Sequence, residues 1–232
     1  MKMKQILAMI LCMALVACVS VAATLAYLTD TEEVVNTFTV GQVGIMLDET
    51  DVDENGVKDG ETRVKSNAYK LMPGHTYTKD PMVTINAKSE EAFIRMLVTV
   101  NELADLKEVF PKDIDAATNT FLLQNFVEGW DKDVWTFAGV TEDAAANTAT
   151  YEFRYFKTVG AGDAPVQLDA LFDSFKMPES LDNEDIIKLS DDPATDAVEP
   201  SLQINVVAEA IQADGFNDDA NAAWAAFKAQ GK

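Results

Sequence analysis

The chain is poor in the residues most enzymes rely on. It has one histidine, His75, and two cysteines, Cys12 and Cys18, both inside the first stretch of the sequence. Three or four imidazoles or thiolates are needed to hold a catalytic zinc, and no H-E-x-x-H pattern occurs. A Ser-His-Asp triad would have to recruit the lone His75, and there is no G-x-S-x-G elbow, no phosphate-binding P-loop and no Rossmann glycine pattern. Beyond Cys18 there is no sulfur for a disulfide, a thiol nucleophile or a thiolate metal site, so the remaining chain must hold its fold through its core. Basic residues are also scarce: 18 Lys and Arg face 39 Asp and Glu, a formal charge of −21. Such a surface repels nucleic acid and anionic lipid, both of which require Lys/Arg clusters. Asp and Glu are too abundant to single out a catalytic carboxylate pair.

What is present begins with "MKMKQILAMILCMALVACVSVAATLAYLTD". Two lysines precede a long apolar run, and the first acidic residue is Asp30. This is the layout of an export signal, with small residues before a cut between Ala26 and Tyr27. Two other readings stay open. The run from Ile6 to Leu28 is long enough for a membrane anchor, and "LVAC" ending at Cys18 looks like a lipidation site. Each places residues 27–232 outside the cytoplasmic membrane, with membrane contact only through the N-terminal segment.

After Asp30 the pattern is that of strands. "VVNTFTVGQVGIML" puts Phe38 and Val40 on one parity and Val43, Ile45 and Leu47 on the other, which predicts a bulge or bend at Gly41-Gln42. "MVTIN" and "AFIRMLVTVN" follow. "VWTFAGV" and "ATYEFRYFKTV" flank "TEDAAANT" as a hairpin, and in "SLQINVVAEAIQ" Leu202, Ile204, Val206 and Ala208 alternate with polar residues. This spacing predicts a mainly β chain, an antiparallel β-sandwich forming one domain over residues 27–232. Helix is expected only in "NELADLKEVF" and at the C-terminus. There Asn217 or Asp218 would cap a helix whose Ala220, Ala223, Trp224 and Phe227 share a face that packs on the sandwich.

Two stretches offer site residues beside His75, which follows a Pro73-Gly74 turn and reads as a structural residue. In "DVDENGVKDGET" the residues Asp51, Asp53, Asn55, Val57 and Asp59 fall at positions one, three, five, seven and nine of a calcium loop around Gly56. Position twelve is Thr62, with Glu61 adjacent, and no helices flank the loop. The other reading is a solvated hairpin tip turning at Asn55-Gly56. The second stretch is the N-terminal strand. It is either the first strand of its own sandwich or a strand that pairs with an open edge of another copy.

Three blocks, "ATLAYLTDTEEVVNTFTVGQVGIML", "YKLMPGHTYTKDPMVTINAKSEEAFIRMLVTV" and "GFNDDANAAWAAF", together resemble the TasA/camelysin family of exported Gram-positive proteins. The likeness covers both ends and the middle of the chain and is thin over residues 102–200. It implies a jelly-roll-like β-sandwich with short helices and a C-terminal helix, and cleavage at "TLAYLTDT" by a SipW-type signal peptidase. It also implies secretion to the cell surface or biofilm matrix, and fibres in which the N-terminal strand of one subunit completes its neighbour's sheet. Val34, Val35, Phe38 and Val40 would be the inserting residues. Camelysin-like members have been labelled metalloendopeptidases, but the residues for that chemistry are missing here, so the expectation is a self-associating protein and not an enzyme. The rival expectations are a metal-dependent endopeptidase and a calcium-dependent adhesive or ligand-binding module.

Overall fold

The computed structural model describes residues 42–190 and 201–229, which lie within one compact unit, Gly41–Lys232. The cleavage junction Ala26-Tyr27, the lipidation site Cys18 and the strand residues Val34, Val35, Phe38 and Val40 fall outside the described residues, as does Gly41 of the expected bend.

A hairpin of β1 (Ile45–Val52) and β2 (Lys58–Val64) comes first, then β3 (Thr76–Thr78), β4 (Met82–Ile85) and β5 (Ala92–Val100). Helix α1 (Leu103–Val109) fills the "NELADLKEVF" stretch. It leads to the small pair β6 (Ile114–Asp115) and β7 (Thr120–Phe121), the single turn α2 (Leu123–Phe126) and β8 (Val127–Glu128). The hairpin expected around "TEDAAANT" forms as β9 (Trp135–Asp143) and β10 (Thr148–Tyr155). Next come β11 (Val166–Gln167), β12 (Ser174–Lys176), α3 (Asn183–Lys188), β13 (Ile204–Gln212) and α4 (Ala220–Ala229).

Two four-stranded sheets, in the orders β11-β4-β1-β2 and β13-β5-β10-β9, carry the core, and every strand pair is antiparallel. The chain is thus mainly β, a sandwich with a few short helices and one at its C-terminus. Period-two alternation sets which side chains enter the core. Ile94, Met96, Val98 and Val100 of β5 meet Val83 and Ile85 of β4 and Tyr151 and Phe153 of β10 in one buried cluster, with Ile45 and Leu47 of β1 at its margin.

On β5 Phe93 and Arg95 of the opposite parity are buried as well, because α4 covers that end of the strand. Phe93 packs with Ala223 and Trp224, and Ala220 and Phe227 close over them, the helix face that the sequence predicts. The cap differs from expectation. Asn217 and Asp218 take left-handed φ values of 48° and 62° to turn the chain, which removes them from the extended backbone a cap uses. Asp219 caps instead, its carboxylate accepting the N–H groups of Asn221 and Ala222 at 2.9 and 3.0 Å.

Candidate functional site

The sequence-predicted site residues that lie within the described chain are His75 and those of the 51–59 loop. His75 closes the Pro73-Gly74 turn, its N–H donating to the Met72 carbonyl at 3.3 Å. Gly74 supplies the positive φ of 73° that such a turn requires. The His75 ring leans on Tyr77 at 5.4 Å.

The carboxylates of the 51–59 loop bond to the hairpin's own backbone and to Thr62 and do not converge on a common point. Asp53 Oδ1 accepts the N–H groups of Asn55 and Val57, both at 2.9 Å, and the Val57 carbonyl accepts the Asp53 N–H at 2.9 Å. The bond from the Val57 N–H is the largest influence holding the Asp53 carboxyl below its usual range. Asp51 instead accepts from the Thr62 hydroxyl across the hairpin at 2.9 Å, and Asp59 is exposed on β2. Gly56 turns with φ 74° as expected, but it is buried: a Cβ there would come within 2.7 Å of the Tyr77 Cα. Gly56 is therefore packed against Tyr77, while Asp53, Glu54 and Val57 of the same tip stay exposed, as expected of a solvated hairpin end. Among the described residues no three His, Cys, Asp or Glu side chains converge to hold a metal ion.

A well-formed concavity lies elsewhere. A groove of about 830 Å3 runs between β1 and β13, of the size that receives a small organic molecule or a short peptide. Its apolar walls are Ile45 and Leu47 on one side and Ile204, Val206 and Ala208 on the other. Tyr69, Leu71, Phe175 and Leu189 line it further in, and Met46 and Val207, 44% and 45% exposed, stand among the lining residues as its most solvent-facing apolar groups.

Among the described residues both walls lack a partner strand on the groove side, β13 along its length and β1 over Ile45–Asp48. β13 pairs with β5 along its whole length, and among the described residues no strand pairs with its other side. β1 pairs with β4 from Ile45 to Asp48, but on its opposite side β2 begins only at the Glu49–Val64 pair. Every second residue of an edge strand turns its N–H and C=O away from its neighbour, so each wall presents main-chain groups that a further strand would satisfy.

The groove also carries charge. Glu49 continues the inward parity of Val43, Ile45 and Leu47, so β1 delivers a carboxylate to the core side. A buried carboxylate must be paired. Lys79 Nζ lies 2.6 Å away, with the two side chains 8% and 7% exposed, and Asn67 Nδ2 donates to Glu49 at 3.0 Å. Burial, with the Glu49 charge adding to it, pushes the nearby Tyr69 hydroxyl pKa well up, and that hydroxyl donates to the Thr78 carbonyl at 3.0 Å.

A second network ties β2 to β1 at the groove's flank. Arg63 holds Asp48 at 2.5 Å and Asp80 at 2.9 Å, and Asp80 also accepts from the Thr50 N–H at 2.6 Å. Burial disfavours the Asp80 carboxylate, but the Thr50 and Arg63 hydrogen bonds outweigh it and hold its pKa below the ordinary value. Asp48 and Glu49 are therefore both committed to partners.

No protein-family model, no curated protein and no solved structure matches the chain.

Proposed function

We propose that this is an exported structural protein of the cell surface or biofilm matrix that self-associates. The N-terminal strand of one copy, residues 34–40, would lie in the β1–β13 groove of the next. The observation that carries this reading is the apolar groove whose walls, β13 and the Ile45–Asp48 stretch of β1, have no partner strand on the groove side among the described residues. A strand entering it gains main-chain hydrogen bonds from an unpaired wall and buries alternate side chains against the apolar lining.

The occupant is argued from the sequence next to the described fold. Val34, Val35, Phe38 and Val40 end one residue before Gly41, and the first described residue is Gln42. At about 3.3 Å per residue, residues 34–40 span roughly 23 Å, against roughly 17 Å for the Ile204–Ala208 wall, so the segment is long enough to line it. The acidic surface suits a soluble exported protein.

Light scattering after size exclusion, with negative-stain microscopy, tests this on the chain recovered after export. The unaltered chain is expected to grow into polymers. Phe38→Asp, which sets a charge against the apolar wall, is expected to leave monomers of unchanged fold. Polymers formed equally well by the Phe38→Asp chain would reject the donor-strand reading. A native chain that stays monomeric at high concentration, with and without calcium, would mean that the groove is filled by the chain's own strand or by a small ligand.

A further inference from the structure

The groove carries a guard. β2 leaves β1 after Val64, and the residue that follows, Lys65, sends its ammonium back to the Leu47 carbonyl. Leu47 lies on the open stretch of β1, two residues before the Glu49–Val64 pair. Main-chain groups alternate sides along a strand, so the Leu47 carbonyl points toward the same side as that of Glu49, the side where β2 runs. It is the first acceptor left free where β2 departs, and the acceptor that the N–H of an added strand would take. Lys65 also lines the groove.

The other charged residues lining the groove are already matched: Glu49 with Lys79, and Asp48 with Arg63. Lys65 makes no ion pair among the described residues and is exposed. A lysine on an edge strand is a known way of discouraging unwanted strand pairing, because a strand that docks there must displace and resolvate a charge. We infer that Lys65 is a displaceable plug that holds the β1 edge of the groove closed to pairing until a donor strand removes it, and so sets the rate of assembly. This rests on the donor-strand reading.

The chemistry of the incoming strand fits the displacement. Residues 30–33, "DTEE", put three carboxylates directly before Val34. Once the donor's N–H groups take the Leu47 carbonyl, the freed ammonium has carboxylates of the same donor strand as partners. A neutral strand of equal apolarity offers none, so the plug would favour this chain's own N-terminus over other edges.

The test is seeded elongation, followed by light scattering, of the exported chain and its Lys65→Ala and Lys65→Met variants, the second keeping the apolar stem without the ammonium. Because the lysine is exposed, both variants are expected to melt as the native chain does. Removing one charge-assisted hydrogen bond that must break before docking is expected to speed elongation roughly five-fold in both variants. Equal or slower elongation of the neutral variants, with polymers still forming, would overturn the plug while leaving the donor-strand reading intact. No polymer from any of the three chains would remove the donor-strand reading, and the plug with it.

Discussion

Replacing Lys79 with methionine is expected to cost the fold about 3–5 kcal/mol, because it leaves the buried Glu49 carboxylate without its counter-charge. The native pair sits 2.6 Å apart, and both side chains are under a tenth exposed. Among the described residues Asn67 is the one other side chain bonded to that carboxylate, and its amide is already shared with the Thr50 carbonyl and the Val52 N–H. A neutral amide does not replace an ammonium in a medium that screens poorly. For a domain of this size such a loss lowers Tm by about 10 °C. The control is the double variant Glu49→Met with Lys79→Met. Taking two charges out of water costs nearly as much as their attraction returns, so a matched apolar pair is expected to melt within a few degrees of the native chain. Thermal melts of the single and double variants distinguish the two cases. Equal destabilisation in both would mean that the pair matters through its shape and not its charge.

A loss of similar size, about 3–5 kcal/mol, is expected for Arg95→Ala. Alternation along β5 turns Arg95 away from the core, yet it is 3% exposed because α4 lies over it. Its guanidinium bonds Glu209 at 2.6 Å and lies 3.4 Å from Glu152, while its flat face stacks on Trp224 with 4.3 Å to the ring centre. Truncation takes the ion-pair partner from Glu209, leaves Glu152 with Arg154 alone, and removes the cation–π contact that the helix makes. Glu152 is held below its ordinary pKa: burial opposes this, and the bond from Arg154, then the Arg154 and Arg95 charges, outweigh it. Arg95→Lys keeps the charge but not the planar fork, so it is expected to recover only part of the loss. Hydrogen exchange is the second readout. The amides of Ala220–Ala229 should exchange faster in Arg95→Ala, and full protection there would show that α4 is held by Trp224 and Ala223 packing alone.

These two pairs mark where the sequence was readable and where it was not. The period-two pattern of β5, β10 and β13 and the α4 face of Ala220, Ala223, Trp224 and Phe227 are local signals, and the fold follows them. The turn before His75 is equally local, since Pro73-Gly74 carries its own backbone preference. Arg95 reads as a solvent-facing residue because alternation along one strand says nothing about a helix that returns from the end of the chain. Glu49 was open to detection: it shares the parity of Val43, Ile45 and Leu47, and a carboxylate at an inward position demands a partner. Lys79 could not be named as that partner, since it arrives from the turn before β4. The calcium spacing of Asp51 to Asp59 counts residues along the chain, whereas the hairpin sends Asp51 and Asp53 to different hydrogen-bond partners. The groove left no local trace at all, because its walls come from strands near opposite ends of the described chain.

The filling of that groove from a second copy is the central claim, and cross-linking tests it most directly. The chain has no cysteine beyond Cys18, so single cysteines can be placed without background in a chain that starts at Tyr27. Chains carrying Phe38→Cys and chains carrying Val206→Cys would be mixed, allowed to assemble and treated with a short thiol cross-linker. The account predicts cross-linked dimers in the mixture and none from either chain alone. A mixture that assembles without such dimers, or a chain bearing both cysteines that cross-links only within itself, would contradict it.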